Sequence, residues 1–340
     1  MKIYYSILLF VIFVFILQAE KSVALDENIY WVSSSGQAIW DDCESASPVS
    51  GNLACDYKTA NQNAMAGDIV YFRGGTYQVS SGNAIDPQNS GEAGARIIFT
   101  AYNDEEVEFI STDSSATYAV DLDDDWVGEP GRSYIKIHGI KFTDFNRHLW
   151  IRRGDYNEIS HCVFEGYNSN AQMSGTWVAS RLMEEAQYNH IHHSVFKNWG
   201  DYGVEGYSGG DDIGALFEIG SDGLDENSDY NIIEYNEMSG GGHHVFGLHD
   251  RYNIVRHNYF HNEAWWKPDS QNPINGNRIF YGVGTDGGKN LIEWNRIAYG
   301  GETSEGNQCG GSGGTYSNAD NIFRYNTVDH ALLYGMFLTK

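Results

Sequence analysis

Between residues 228 and 262 the pattern of apolar and polar positions occurs twice. Tyr230-Asn231-Ile232-Ile233-Glu234-Tyr235-Asn236-Glu237-Met238 returns 22 residues later as Tyr252-Asn253-Ile254-Val255-Arg256-His257-Asn258-Tyr259-Phe260. A fixed period of this length in β-branched and aromatic residues predicts one coil of a solenoid built from strands. No coil buries its own apolar face. Coils stacked about 4.8 Å apart bury it continuously, so the architecture follows from the repeat.

Aligned on the first Asn, coils begin at Asn157, Asn189, Asn231, Asn253, Asn290 and Asn321, with degenerate copies over residues 134–142, 97–110 and 69–79. These amount to about nine coils and a rod of roughly 40 Å. Two columns are apolar and predict the core: Ile159, Ile191, Ile233, Val255, Ile292 and Phe323, then Phe164, Phe196, Met238, Phe260, Ile297 and Val328. A third holds Cys162, Ser194, Asn236, Asn258, Asn295 and Asn326. Asn accepts left-handed backbone at low cost and stacked amides can bond between coils, so a bend with an asparagine ladder is expected there. A fourth column accepts any flat ring: His161, His193, Tyr235, His257, Trp294 and Tyr325. Ring stacking accounts for its histidines better than ligation does, although Gly242-His243-His244, His249-Asp250 and His257 also have the composition of a metal site. His249 lies in the strand before the repeat and is open to a functional reading.

At the N-terminus, Lys2 precedes an apolar run over residues 7–17, which is short of the roughly 20 residues that span a bilayer. Ser22-Val23-Ala24 supplies small residues for cleavage before Leu25, so residues 1–24 read as a signal peptide and the protein as secreted or periplasmic. An uncleaved anchor is the alternative. Residues 25–340 then form one elongated domain, with a first strand, a loop and a cap over residues 25–80. Residues 57–66 are the helix expected to cover the open end of the strand stack, ended by Gly67. Four cysteines in an exported chain permit disulfides, and Cys43 with Cys55 would close a short loop. Cys162 reads as a buried filler, and Cys309, in a Gly-rich loop, as free.

The run from 30 to 77, with YWVSSSG, a helix and AGDIVYFRGGTY, resembles the entry segment of secreted right-handed parallel β-helix proteins, a group that includes pectate, alginate and chondroitin lyases. The downstream repeats extend the resemblance over nearly the whole mature chain. It implies an all-β, single-stranded, right-handed parallel β-helix. Because this fold hosts several chemistries, activity has to be argued from the site.

Formal charge is −25, and loss of residues 1–24 leaves about −26. So acidic a surface repels nucleic acid and anionic membranes, and an anionic substrate needs a local basic patch or cations. Insertions at 166–175, 198–214, 262–277 and 299–317 fall after the third strand of a coil, the arrangement of loops around a binding face. They border a wall of candidate strands at 149–153, 177–182, 216–219, 245–249 and 278–283.

The wall carries the candidate chemistry. Eliminative cleavage of a uronate polymer needs a cation on the sugar carboxylate, a base for the C5 proton and a donor to the leaving oxygen. Arg152, Glu218, His249, Arg251 and Tyr281 are the candidate catalytic set, with Arg153, Trp265, Trp266, Lys267 and Arg278 binding substrate; Arg181 also faces outward. Asp222 and Asp225, or Asp211 and Asp212, offer oxygen ligands for Ca2+. Residues 216–260 resemble the catalytic coils of alginate and chondroitin lyases, Glu218 and Arg251 being loosely comparable, but the Lys expected between them is missing. Two other readings stand beside a polysaccharide lyase. One is a carbohydrate-binding or surface rod without catalysis. The other is a hydrolase, since Ser221-Asp222-Gly223-Leu224-Asp225 and Gly210-Asp211-Asp212 resemble polygalacturonase motifs, in the wrong order. At the C-terminus, residues 331–338 begin another apolar strand, which predicts further coils, or contact with another chain, beyond Lys340.

Overall fold

The computed structural model describes residues 28–123, 129–167, 178–199, 215–220, 226–241, 244–263, 278–283, 288–299 and 320–330. Their strands form three parallel sheets of ten, nine and six strands, stacked coil on coil as a β-helix. One repeat supplies Ile232–Glu234 to the ten-stranded sheet and Glu237–Ser239 to the nine-stranded sheet; His244–Leu248 then joins the six-stranded sheet. Pairing is in register from coil to coil: Ile191 lies beside Ile233 and Ile233 beside Val255. This register is why an apolar column in the sequence becomes a continuous core.

Both predicted core columns are inside. Ile159, Ile191, Ile233, Val255 and Ile292 are fully buried, as are Phe164, Phe196, Met238, Phe260 and Ile297, while Phe323 and Val328 pack partly buried against them. Each buried aliphatic or aromatic side chain is worth about 1.5–3 kcal/mol. Phe142, Phe164 and Phe196 stack at 5.0 and 4.7 Å.

The bends correct one expectation and enlarge it. Left-handed backbone falls not on the Asn but on the ring before it: His161, His193, Tyr235, His257, Trp294 and Tyr325 have φ of 54°, 50°, 55°, 55°, 57° and 59°. The Asn follows that turn with its amide directed into the stack. Ser194 N–H donates to Asn236 Oδ1 at 2.9 Å, Asn236 N–H to Asn258 Oδ1 at 2.9 Å and Asn258 N–H to Asn295 Oδ1 at 3.0 Å. A second ladder runs up the alignment Asn itself: Asn189 N–H donates to Asn231 Oδ1 at 2.9 Å and Asn231 N–H to Asn253 Oδ1 at 2.8 Å. Each amide so satisfies backbone groups that the bend leaves without a strand partner.

Outside the bends, rings stack as the fourth column predicts, with His161 on His193 at 5.0 Å, His193 on Tyr235 at 4.9 Å and Tyr235 on His257 at 4.7 Å. Tyr156, Tyr188, Tyr230 and Tyr252 form a second stack that the sequence reading passed over.

The helix spans Tyr57–Asn63, with Asp56 capping it by accepting from Thr59 N–H at 2.7 Å. It is shorter than the expected 57–66. It buries Tyr57 and Ala60, Tyr57 meeting Phe109 edge-on at 5.4 Å. Cys43 and Cys55 form the predicted disulfide, which fits an oxidising compartment, and Cys162 is a buried free thiol. No helix among the described residues is long and apolar enough to cross a membrane. The apolar run, the cleavage site, Cys309 and residues 331–340 lie outside the described residues.

Candidate functional site

The predicted wall is the six-stranded sheet. Its strands are Tyr118–Asp121, Arg147–Arg152, Val178–Met183, Ala215–Ile219, His244–Leu248 and Arg278–Val283. Phe217 and Ile219 are buried, and Phe217 packs on Phe196 and Phe246 in the core, so strand alternation turns Glu218 outward. Register places Trp150, Arg181, Glu218, Gly247 and Tyr281 in one row across the strands.

Gly247 is the pivot of this row. A Cβ there would stand 2.7 Å from His244 Nε2, 3.1 Å from His249 Nε2 and 3.2 Å from Glu218 Cγ. Only a residue without a side chain lets two imidazoles and a carboxylate converge over the strand. His244 Nε2 lies 3.1 Å from Glu218 Oε1, and Arg181 Nε is 3.6 Å from Glu218 Oε2. Burial pushes the Glu218 carboxyl up, but the hydrogen bond from His244 and the charges of His244, His249 and Arg181 outweigh it and hold the pKa at about 2. Arg181 also reaches Glu226 Oε1 at 3.5 Å and donates to Gly220 O at 3.1 Å. Burial pushes Glu226 up against the pull of Arg181, with Asp250 adding to the rise. One guanidinium therefore joins a carboxylate held anionic to one held towards its neutral form.

Glu218 and His249 come together as expected. His249 is only 2% exposed, however, so it is enclosed with its partners rather than presented on an open surface. The arginines separate from that cluster. Arg152 pairs with Glu184 at 2.9 Å and Asp123 at 3.3 Å, and Arg153 pairs with Glu184 too. Arg152 lies beside Met183, whose strand separates it from the strand of Glu218. Arg251 turns to Asn227 Oδ1 at 3.2 Å and to Asp229 at 3.9 Å. Tyr281 and Arg278 are placed by backbone register alone, Tyr281 beside Gly247 and Arg278 beside His244. Trp265, Trp266, Lys267, Asp211, Asp212, Asp222 and Asp225 lie outside the described residues.

His244, Arg181 and Glu226 are the members that the candidate set left out. A glycine inside the strand segment HHVFGLH, with His three residues before and two after, was the available signal for His244. Among the described residues, no three His, Cys, Asp or Glu side chains have the geometry of a metal site. A cleft elsewhere on the rod, lined by Asp104, Glu105, Glu106, Glu108, His138 and Lys141, is acidic and unsuited to an anionic polymer.

No family model matches the chain, and no curated protein does. Among solved structures it is similar to pectate lyase Pel9A, with 16% identity and a TM-score of 0.51 over 79% of this chain and 63% of that one. It is also similar to an alginate lyase from Paenibacillus sp. str. FPU-7, with 12% identity and a TM-score of 0.41 over 78% and 94%. A mannuronic acid specific polysaccharide family 6 lyase from human gut microbiota gives 16% identity and 0.37 over 79% and 64%. The first of these carries the likeness in fold, and at such identities the likeness stops there.

Proposed function

We propose that this protein cleaves an acidic polysaccharide by β-elimination at the six-stranded sheet, with Glu218, His244, His249 and Arg181 as the reacting centre. The observation that carries the reading is the convergence of two imidazoles and a carboxylate over Gly247. Elimination removes the proton on the carbon next to the sugar carboxylate and expels the glycosidic oxygen. The proton is acidic only when the carboxylate charge is offset. Arg181 is the cation nearest the centre. His249 is the candidate base for that proton. Glu218 stays anionic over the working pH range and orients and stabilises the imidazoles, as a carboxylate does beside a base. Tyr281, in register with Gly247, is the candidate donor to the leaving oxygen. This assignment replaces Arg152, which lies one strand removed from the strand of Glu218, and Arg251, which turns to Asn227 and Asp229. A bound divalent cation would supply further offset of the sugar charge; no step above depends on one.

One observation favours a second reading. Glu218 and Glu226 are carboxyls pushed in opposite directions across Arg181, and opposed carboxyls are the equipment of glycoside hydrolysis.

The test is incubation with alginate, pectate and chondroitin, with and without Ca2+, following both unsaturated product by absorbance and new reducing ends. Absorbance with reducing ends, lost in His249→Gln, is the expected result. Reducing ends without absorbance select hydrolysis. Binding without either product makes the rod a carbohydrate-binding module.

A further inference from the structure

On the ten-stranded sheet, away from the wall, three coils bring five histidines together on the outside of the rod. His190 and His192 alternate outward around the buried Ile191, and His193 follows at the bend. The His190 and His192 rings are 4.1 Å apart, His138 and His161 4.9 Å, and His161 and His193 5.0 Å. One contact in this group brings two ring nitrogens together. The His192 and His193 rings are nearly perpendicular, at 85°, and His192 Nδ1 lies 2.9 Å from His193 Nδ1.

We propose that His192 and His193 form a two-nitrogen site for Cu(II) on the outer face of this sheet. Two nitrogens bound cis at about 2.0 Å to a tetragonal metal stand about 2.8 Å apart, whereas a tetrahedral ion sets them at about 3.3 Å. The observed 2.9 Å is the length of the hydrogen bond between the two nitrogens and is close to the first, so the nitrogens need not separate to share such an ion. Copper also has the highest affinity of the common divalent ions for imidazole nitrogen.

The surroundings prepare the pair. Glu158 Oε1, which pairs with Lys136 at 2.8 Å, also stands 3.6 Å from His192 Nε2. A carboxylate on that side keeps the proton on Nε2 and leaves Nδ1 as the ligand atom, the usual outer partner of a metal-bound histidine. With the His192 proton on Nε2, the bond between the rings in the metal-free protein runs from His193 Nδ1–H to His192 Nδ1. When the ion binds, that proton moves to the exposed Nε2 of His193, so none need be released.

The bend fixes His193 at φ 50°, and stacking between His161 and Tyr235 holds its ring. The site therefore needs little ordering. His190 is engaged elsewhere, with Nε2 2.9 Å from Glu234 Oε1. No third protein ligand joins the pair among the described residues, so solvent completes the coordination.

The test uses tag-free protein titrated with CuSO4, read by calorimetry and electron paramagnetic resonance. One equivalent should bind with a two-nitrogen signature. His193→Phe preserves a flat ring in a column that already contains Tyr235 and Trp294, so the fold should hold. It should weaken copper binding at least about tenfold. His192→Gln should do the same, while His190→Gln should not. Copper binding unchanged in His193→Phe and His192→Gln, both shown folded by unaltered melting without metal, overturns the site. So does a wild-type titration that saturates only with scattered single-nitrogen binding.

Discussion

The ten-stranded sheet and the six-stranded sheet belong to the same coils yet follow opposite rules. Along the first, each position repeats its chemistry: Ile191, Ile233, Val255 and Ile292 inside, and Asn189, Asn231, Asn253 and Asn290 at the bend. Along the second, one row in register holds Trp150, Arg181, Glu218, Gly247 and Tyr281, five different residues. Repetition serves stacking, because identical groups meet themselves one coil away. Chemistry needs unlike groups to meet, and so it gathers where the repeat is broken.

Breaking a ladder should cost most. Asn236→Ala deprives Ser194 N–H of its acceptor and Ile191 C=O of its donor, both buried. Two orphaned groups cost about 2–6 kcal/mol, measurable by urea unfolding. A loss under about 1 kcal/mol would mean that water replaces the amide. Ile233→Ala, in the adjoining core column, should cost about 2–5 kcal/mol through lost burial and a cavity.

Gly247→Ala is the reciprocal experiment on the wall. It should cost about 1–3 kcal/mol as an overpacked position, while reducing turnover far more than Ile233→Ala does at equal folded fraction. Comparable activity in the two folded variants would separate the convergence of His244, His249 and Glu218 from function.

Acid should also test the wall. The folded pKa of Glu218, about 2, lies below its ordinary 4.5. Its contribution is therefore present above pH 4.5 and fades as pH falls towards 2. Glu218→Gln should flatten that part of the melting temperature against pH profile, and an unchanged profile would assign the acid sensitivity to other carboxyls. The smallest effect belongs to the outer ring column: His257→Tyr, between Tyr235 and Trp294, should change stability by less than about 0.5 kcal/mol. A loss comparable to that of Ile233→Ala would make the stack part of the core.

The β-helix, its core columns, an asparagine ladder at the bend, the ring stack and the position of the third sheet were all legible in the sequence. Each is a periodic property, visible because the same physical demand recurs in every coil. The sequence also placed Glu218 and His249 on the wall. The company they keep was settled by the packing of the coils. His244 and Glu218 are 26 positions apart in the chain and meet because adjacent strands place Ala215 beside His244 and Glu218 beside Gly247. Arg152 looked like a free cation until the fold set Asp123 and Glu184 against it. Such pairings depend on insertions that change the length of each coil, and no period encodes them. The left-handed turn is the same lesson at the scale of one residue. Composition pointed to the Asn, but the Asn amide must face into the stack to bond the next coil, so the backbone reversal falls on the ring before it.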